Sequence, residues 1–131
     1  MKKSSGGFTV IELIFIIIVL LAASVIFFIQ KNNIEVIARD NTEKTAINAM
    51  YYSLEEVFYP ANKYYPQTIS SENLPSVDPN LFKDPYGVKL GSAGSVYTYS
   101  PTNCSDNKCK SYTLKAKLTN EADYVKSSRN K

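Results

Sequence analysis

Hydrophobic positions change their period three times along the chain. From Leu13 to Ile29 every residue but Ser24 is apolar or small, and none is charged. Such a run buries no single face; it predicts a helix that is apolar all round. Further on, Ile47, Met50, Tyr51, Leu54, Val57 and Phe58 recur at i, i+3, i+4, i+7, i+10 and i+11, the stripe of an amphipathic helix, with a weaker stripe at Ile34, Ile37 and Ala38 before it. Pro60 excludes Tyr59 from helical geometry, so the helix is expected to stop there. One helix over 8–59 is predicted, roughly 75–80 Å long. Its weakest stretch is Gln30 to Asn33, where adjacent asparagines are poor helix formers and Asn32 with Glu35 has the spacing of a capping pair; the expectation is a continuous helix, with any bend placed there.

Pro60 to Ser95 holds five of the six prolines and shows no sustained period. It reads as a connecting region with turns at Asp78-Pro79 and Asp84-Pro85-Tyr86-Gly87, and a short helical turn near Ser70. Val96 to Ser100 has the aromatic and β-branched content of a strand. Ser111 to Leu118 alternates, with Tyr112, Leu114, Ala116 and Leu118 on one side and Thr113, Lys115 and Lys117 on the other, as in an antiparallel sheet with one wet face. Pro101 to Lys110 is expected to be a loop between them, and Tyr124-Val125-Lys126 a short edge strand. The fold class is therefore α+β.

The segment ahead of the apolar run changes the picture most. Met1-Lys2-Lys3-Ser4-Ser5-Gly6-Gly7 is followed by Phe8-Thr9-Val10-Ile11-Glu12-Leu13. A secretory signal is cut after its apolar stretch, at small residues; here the small residues precede it. Leu21-Ala22-Ala23 offers a conventional cleavage site, but Glu12 interrupts the apolar region and Val25 to Ile29 stays apolar beyond that cut. The basic head, the Gly-Gly step, Phe8 and Glu12 together resemble the processing site of type IV pilin precursors and the related pseudopilins. Tyr64-Tyr65-Pro66 and Lys83-Asp84-Pro85-Tyr86-Gly87 resemble signatures of the pseudopilin-like branch, and two strands with a cysteine loop resemble the C-terminal part of many pilins.

That resemblance implies a pilin-like fold, one long N-terminal helix packed by its C-terminal half on a small antiparallel sheet. It divides the chain into a leader (1–7), an apolar membrane-spanning and filament-core half-helix (8–30) and a soluble head (31–131). It implies cleavage between Gly7 and Phe8 by a prepilin peptidase, N-methylation of Phe8, and pairing of Glu12 with the Phe8 amine of a neighbouring subunit to set the register. Leu13, Ile14, Phe15, Ile16, Ile17, Ile18, Val19, Leu20, Leu21, Val25, Ile26, Phe27, Phe28 and Ile29 would first hold the precursor in the membrane and then pack in the filament core. The expected partners are copies of the chain and related pilins, the peptidase and a membrane assembly platform. The expected role is a structural subunit of a filament for adhesion, motility or DNA uptake; a secretion-system pseudopilin, or a membrane-anchored binding domain that does not polymerise, is the alternative. Major pilins usually carry a glycine and a proline in the apolar half-helix; around Leu20-Leu21 and Phe28-Ile29 there is neither. That departure fits a minor or atypical subunit.

Charge and composition refine this. At 131 residues the chain has room for one modest domain beside the apolar segment. Loss of Lys2 and Lys3 with a leader takes the net charge from +3 to +1, which argues against nucleic-acid binding as the main task. Those lysines favour a cytoplasmic N-terminus with the rest outside the membrane. A carboxylate at Glu12 is costly in a membrane segment and needs a partner, unless it sits at headgroup level. Cys104 and Cys109 lie in the segment expected outside, where a local disulfide is the natural state and two free thiols the alternative. The chain has no histidine, so neither zinc sites nor Ser-His or Cys-His catalysis find their usual parts; no enzyme activity, metal or cofactor is expected. Asp78, Asp84 and Asp106 lack the spacing of a calcium loop. Lys108 to Lys131 carries seven Lys or Arg and is expected to be a solvated, partly disordered end, with weak contact to DNA or another anionic polymer as its chemistry.

Overall fold

The structure, a computed structural model, describes residues 7–130. The expected leader lies outside them except for Gly7. Packing divides the chain into two units, Met1–Glu35 and Val36–Lys131.

Helix α1 runs Val10–Tyr52. It passes Gln30 to Asn33 uninterrupted, and Asn32–Glu35 is not used as a cap. Instead Glu35 lies 3.9 Å from Lys31, an exposed i,i+4 pair worth a few tenths of a kcal/mol. In the first unit the apolar side chains of this helix are all exposed.

In the second unit the helix presents Ala46, Ile47, Met50 and Leu54 to the core. The expected stop before Pro60 does not occur. Ser53–Phe58 forms a π-helical segment and α2, Tyr59–Asn62, follows it. Pro60 falls in the first turn of α2, directly after the π-helical segment, so the turn before it lacks the N–H that an α-helix would use there. Lys63 ends α2 in the left-handed conformation (φ 63°), its N–H donating to the Tyr59 carbonyl at 2.7 Å. A π turn takes up one residue more than an α turn, so the apolar stripe slips out of phase. Val57, expected in the core, is 51% exposed, while Glu55 is 5% exposed.

Four strands form one antiparallel sheet: β1 Tyr65–Pro66, β2 Tyr97–Ser105, β3 Lys108–Ala116 and β4 Tyr124–Ser127. β3 is central. β2 covers one of its edges from Tyr97↔Ala116 to Ser105↔Lys108; β1 pairs with it at Tyr65↔Cys109 and β4 at Thr113↔Ser127 to Ala116↔Tyr124. The stretch Pro101 to Lys110, expected as a loop, is a continuation of both strands. Only Asp106 and Asn107 turn the chain, both at positive φ, as a two-residue hairpin with native twist requires. Cys104 and Cys109 face each other across the pair and are joined by a disulfide.

The connection between β1 and β2 is packed rather than loose. Ile69, Leu74, Val77 and Phe82 all enter the core. Asp78 caps the 3₁₀ turn Pro79–Phe82 by accepting from Asn80 N at 2.8 Å. Asp84 organises the next turn, accepting from the backbone N–H groups of Tyr86, Val88 and Val96 at 3.0, 2.8 and 3.1 Å. The chain end is likewise seated, which corrects the expectation of a disordered basic tail. Arg129 bonds Glu56 and Tyr51, and Ser128 N–H donates to the Tyr112 carbonyl.

Buried carboxylates tie helix to sheet. Asp40 accepts from Thr119 N and Asn120 N at 3.0 and 3.1 Å. Glu55 accepts from Tyr112 Oη at 2.8 Å and Tyr65 Oη at 3.1 Å. Glu43 is 1% exposed, and its Oε2 meets no donor among the described residues.

Candidate functional site: the N-terminal helix segment

The residues singled out for assembly lie at the start of α1. Phe8, Ile11, Glu12, Phe15 and Ile16 line one shallow depression of about 450 Å³ on the helix surface. Their spacing explains this, because residues three and four apart lie on one face. Glu12 is thus a carboxylate set in an apolar stripe, and Phe8 beside it is 77% exposed.

Glu12 also has a local task that the reading of the motif overlooked. Thr9 precedes the helix, and its N–H and Oγ1–H donate to Glu12 Oε2 at 2.8 and 2.9 Å, while Glu12 N–H donates back to Thr9 Oγ1 at 3.3 Å. This is a capping box, in which two residues satisfy each other's backbone donors at a helix start. The signal was in the sequence, since Thr-x-x-Glu just ahead of an apolar run is its signature. Both bonds that Glu12 accepts reach Oε2; among the described residues nothing donates to Oε1.

Beyond Glu12 the helix presents a wholly apolar exterior. Leu13 to Ile29 includes fourteen large hydrophobic side chains, each between 40% and 67% exposed. Ser24 turns its hydroxyl onto the Leu20 carbonyl at 2.8 Å, so it offers no unmet polar group to an apolar surrounding. The helix is long and apolar enough to cross a membrane. Gly7 is exposed, and a Cβ placed on it would meet nothing within 4 Å. A requirement for glycine there would come from another protein rather than from this fold.

Cys104, Cys109 and the lysines of β3 belong to the second unit. Two of the basic residues beyond Lys108 are paired: Lys115 with Asp123 at 3.2 Å, and Arg129 with Glu56. Among the described residues no cluster of three His, Cys, Asp or Glu is arranged to hold a metal ion.

A long apolar N-terminal helix, a small antiparallel sheet and a disulfide make a pilin-like set of elements. No protein-family model, curated protein or solved structure matches this chain.

Proposed function

We propose that the chain is a structural subunit of a type IV pilus-like filament. In this reading it is made as a precursor held in the cytoplasmic membrane with its N-terminus inside. It is cut between Gly7 and Phe8 by a prepilin peptidase, methylated on Phe8 and polymerised outside through its N-terminal helix. It assigns no catalytic group and no cofactor. The observation that carries it is the carboxylate at Glu12 at the start of an otherwise apolar, exposed helix segment, Val10 to Ile29, that follows a basic Gly-Gly leader. An apolar exterior needs lipid or other copies around it. A carboxylate within it needs a cation, and an α-amine at Phe8 of an adjacent subunit supplies one with the right charge and length. Glu12 Oε1 offers an acceptor beyond the capping box.

The unbroken passage of α1 through Leu20-Leu21 and Phe28-Ile29 favours a minor subunit or a pseudopilin as the second reading, and loss of exoprotein secretion rather than of surface filaments on deletion would select it.

The experiment is the mass of the N-terminal peptide from cells, with filament counts for Glu12→Ala and Thr9→Ala. The expected mature chain begins at methylated Phe8. Glu12→Ala is expected to be processed normally yet leave few filaments, whereas Thr9→Ala, which removes both bonds of the Thr9 hydroxyl but keeps the carboxylate and the backbone N–H that donates to it, retains them. A chain beginning at Met1, or normal filaments from Glu12→Ala, would overturn the proposal. Equal loss in Thr9→Ala would reassign Glu12 to helix capping alone.

A further inference from the structure

At the hairpin end of the sheet a cleft of about 410 Å³ opens between α2 and the disulfide-bridged strands. Its origin lies in the relative lengths of the elements. β3 carries Tyr112, Leu114 and Ala116 in the core, then continues past them, burying Cys109 against the sheet and leaving Lys110 and Lys108 exposed on either side of it. Helical structure ends at Asn62, and Lys63 turns away from it at positive φ. The overhanging sheet and the helix end thus bring Lys63, Lys108 and Lys110 to the rim of one cleft, with Asp106 the only carboxylate among its lining residues.

The remaining lining is polar in a particular way. Tyr59, Tyr64, Asn103 and Ser105 contribute hydroxyl and amide groups. Tyr59 is stacked on Tyr65 at 4.8 Å and Tyr64 is capped by Lys108 Nζ at 5.2 Å from its ring, so one face of each ring is already occupied. Asn103 and Lys63 both hold left-handed backbone, at φ 53° and 63°, a conformation that non-glycine residues adopt rarely and that gathers at ligand sites. The disulfide pins the Asn103-bearing wall.

We infer that this cleft binds an acidic polysaccharide through one or two of its uronic-acid rings, the lysines taking the carboxylates and Tyr, Asn and Ser groups the hydroxyls. Its volume is at the small end for ligand clefts, roughly 300–1,000 Å³, which suits a few rings of a chain. Single-stranded nucleic acid is the other polyanion to weigh, but it draws its affinity from free aromatic faces as well as cations, and those faces are in part used here. All the residues lie in Val36–Lys131, so the inference stands apart from the filament reading.

The test is calorimetric titration of the full chain, in uncharged detergent micelles, with an oligogalacturonate. A maltooligosaccharide of the same length and oligo(dT) serve as comparisons. Lys63→Gln, Lys108→Gln and Lys110→Gln are each expected to weaken binding about threefold, as for an exposed ion pair. The Lys115→Gln/Lys117→Gln pair, outside the cleft, is expected to change nothing. Near-ultraviolet circular dichroism checks that every variant keeps its fold. Absence of binding, equal binding of the neutral sugar, equal or tighter binding of oligo(dT), or an equal loss in the Lys115/Lys117 pair would each overturn the inference.

Discussion

Glu55 is the residue whose removal should cost the head most for its size. It is 5% exposed, and Tyr65 and Tyr112, at 0% and 1%, both aim their hydroxyls at its carboxylate from the sheet. The backbone N–H of Arg129 adds a longer bond at 3.3 Å, so one carboxylate joins the helix, β1, β3 and the chain end. Tyr112→Phe deletes the shortest of these bonds and leaves a ring of the same shape. A hydrogen bond to a charged group contributes about 1.5–3 kcal/mol. For a unit of this size each kcal/mol moves the midpoint by roughly 4–8 °C, so the variant should melt about 6–24 °C lower. Thermal and urea unfolding of the full chain in neutral micelles, followed by tyrosine circular dichroism, reads both numbers. The decisive control is the same substitution in a Glu55→Leu background. With no carboxylate to bond, Tyr112→Phe should then cost almost nothing. A Tyr112→Phe cost below about 0.5 kcal/mol, or one that persists undiminished in Glu55→Leu, would refute the assignment of Glu55 as the junction.

Two pH dependences follow from the same buried groups. Burial raises the hydroxyls of Tyr65, Tyr97, Tyr99 and Tyr112 above the usual tyrosine range, with Glu55 adding to it at Tyr65 and Tyr112, and Glu43 and Asp84 at Tyr97. Above the unfolded value of about 10 the unfolded chain sheds these protons first, so stability should fall by up to about 1.4 kcal/mol per pH unit for each tyrosine; a fold that keeps its urea midpoint to pH 11.5 would contradict this. Burial, and then Asp40 and Asp84, raise the Glu43 carboxyl against the opposing pull of Arg39. Its contribution is intact below the unfolded value of about 4.3 and is lost as pH rises through the folded value. Glu43→Gln is therefore expected to be neutral near pH 4 and stabilising by on the order of 1 kcal/mol at pH 7, and a difference that is flat with pH, or of opposite sign, would rule out the cause given.

Where residue type and period carried the physics, the structure was legible in the chain. Leu13 to Ile29 can only be a helix with an apolar exterior, since every backbone polar group must be met within the segment if it enters lipid. The alternation from Tyr112 to Ala116 set the buried face of β3, and Asp84-Pro85-Tyr86-Gly87 named its turn, with Gly87 at φ 81°. Thr9 and Glu12 carry the capping-box spacing in the sequence as well; the charge of Glu12 suits a partner outside the chain, yet its nearest donor lies three residues back. The Pro101 to Lys110 misreading has a similar source. Proline, asparagine and cysteine are loop residues by composition, yet a disulfide across two strands and a two-residue turn leave no room for a loop.

The π segment marks the limit of such reading. A hydrophobic stripe is found by assuming 3.6 residues per turn, and the assumption holds from Ile47 to Leu54, with Ile47, Met50 and Leu54 in the core and Tyr51 packed against it. One extra residue in the turn then rotates everything beyond it, sending Val57 outward and Glu55 inward. No side chain between Ser53 and Phe58 announces the change by its own propensity. Its causes lie elsewhere: Pro60 has no N–H to give to the preceding turn, and Tyr65 and Tyr112, ten and fifty-seven residues away in sequence, present two hydroxyls that a carboxylate can satisfy. The phase of the helix is therefore decided by what the sheet offers to it, a tertiary demand that overrides the local period. The same contacts make Glu55, rather than the apolar Val57, the residue that closes the core.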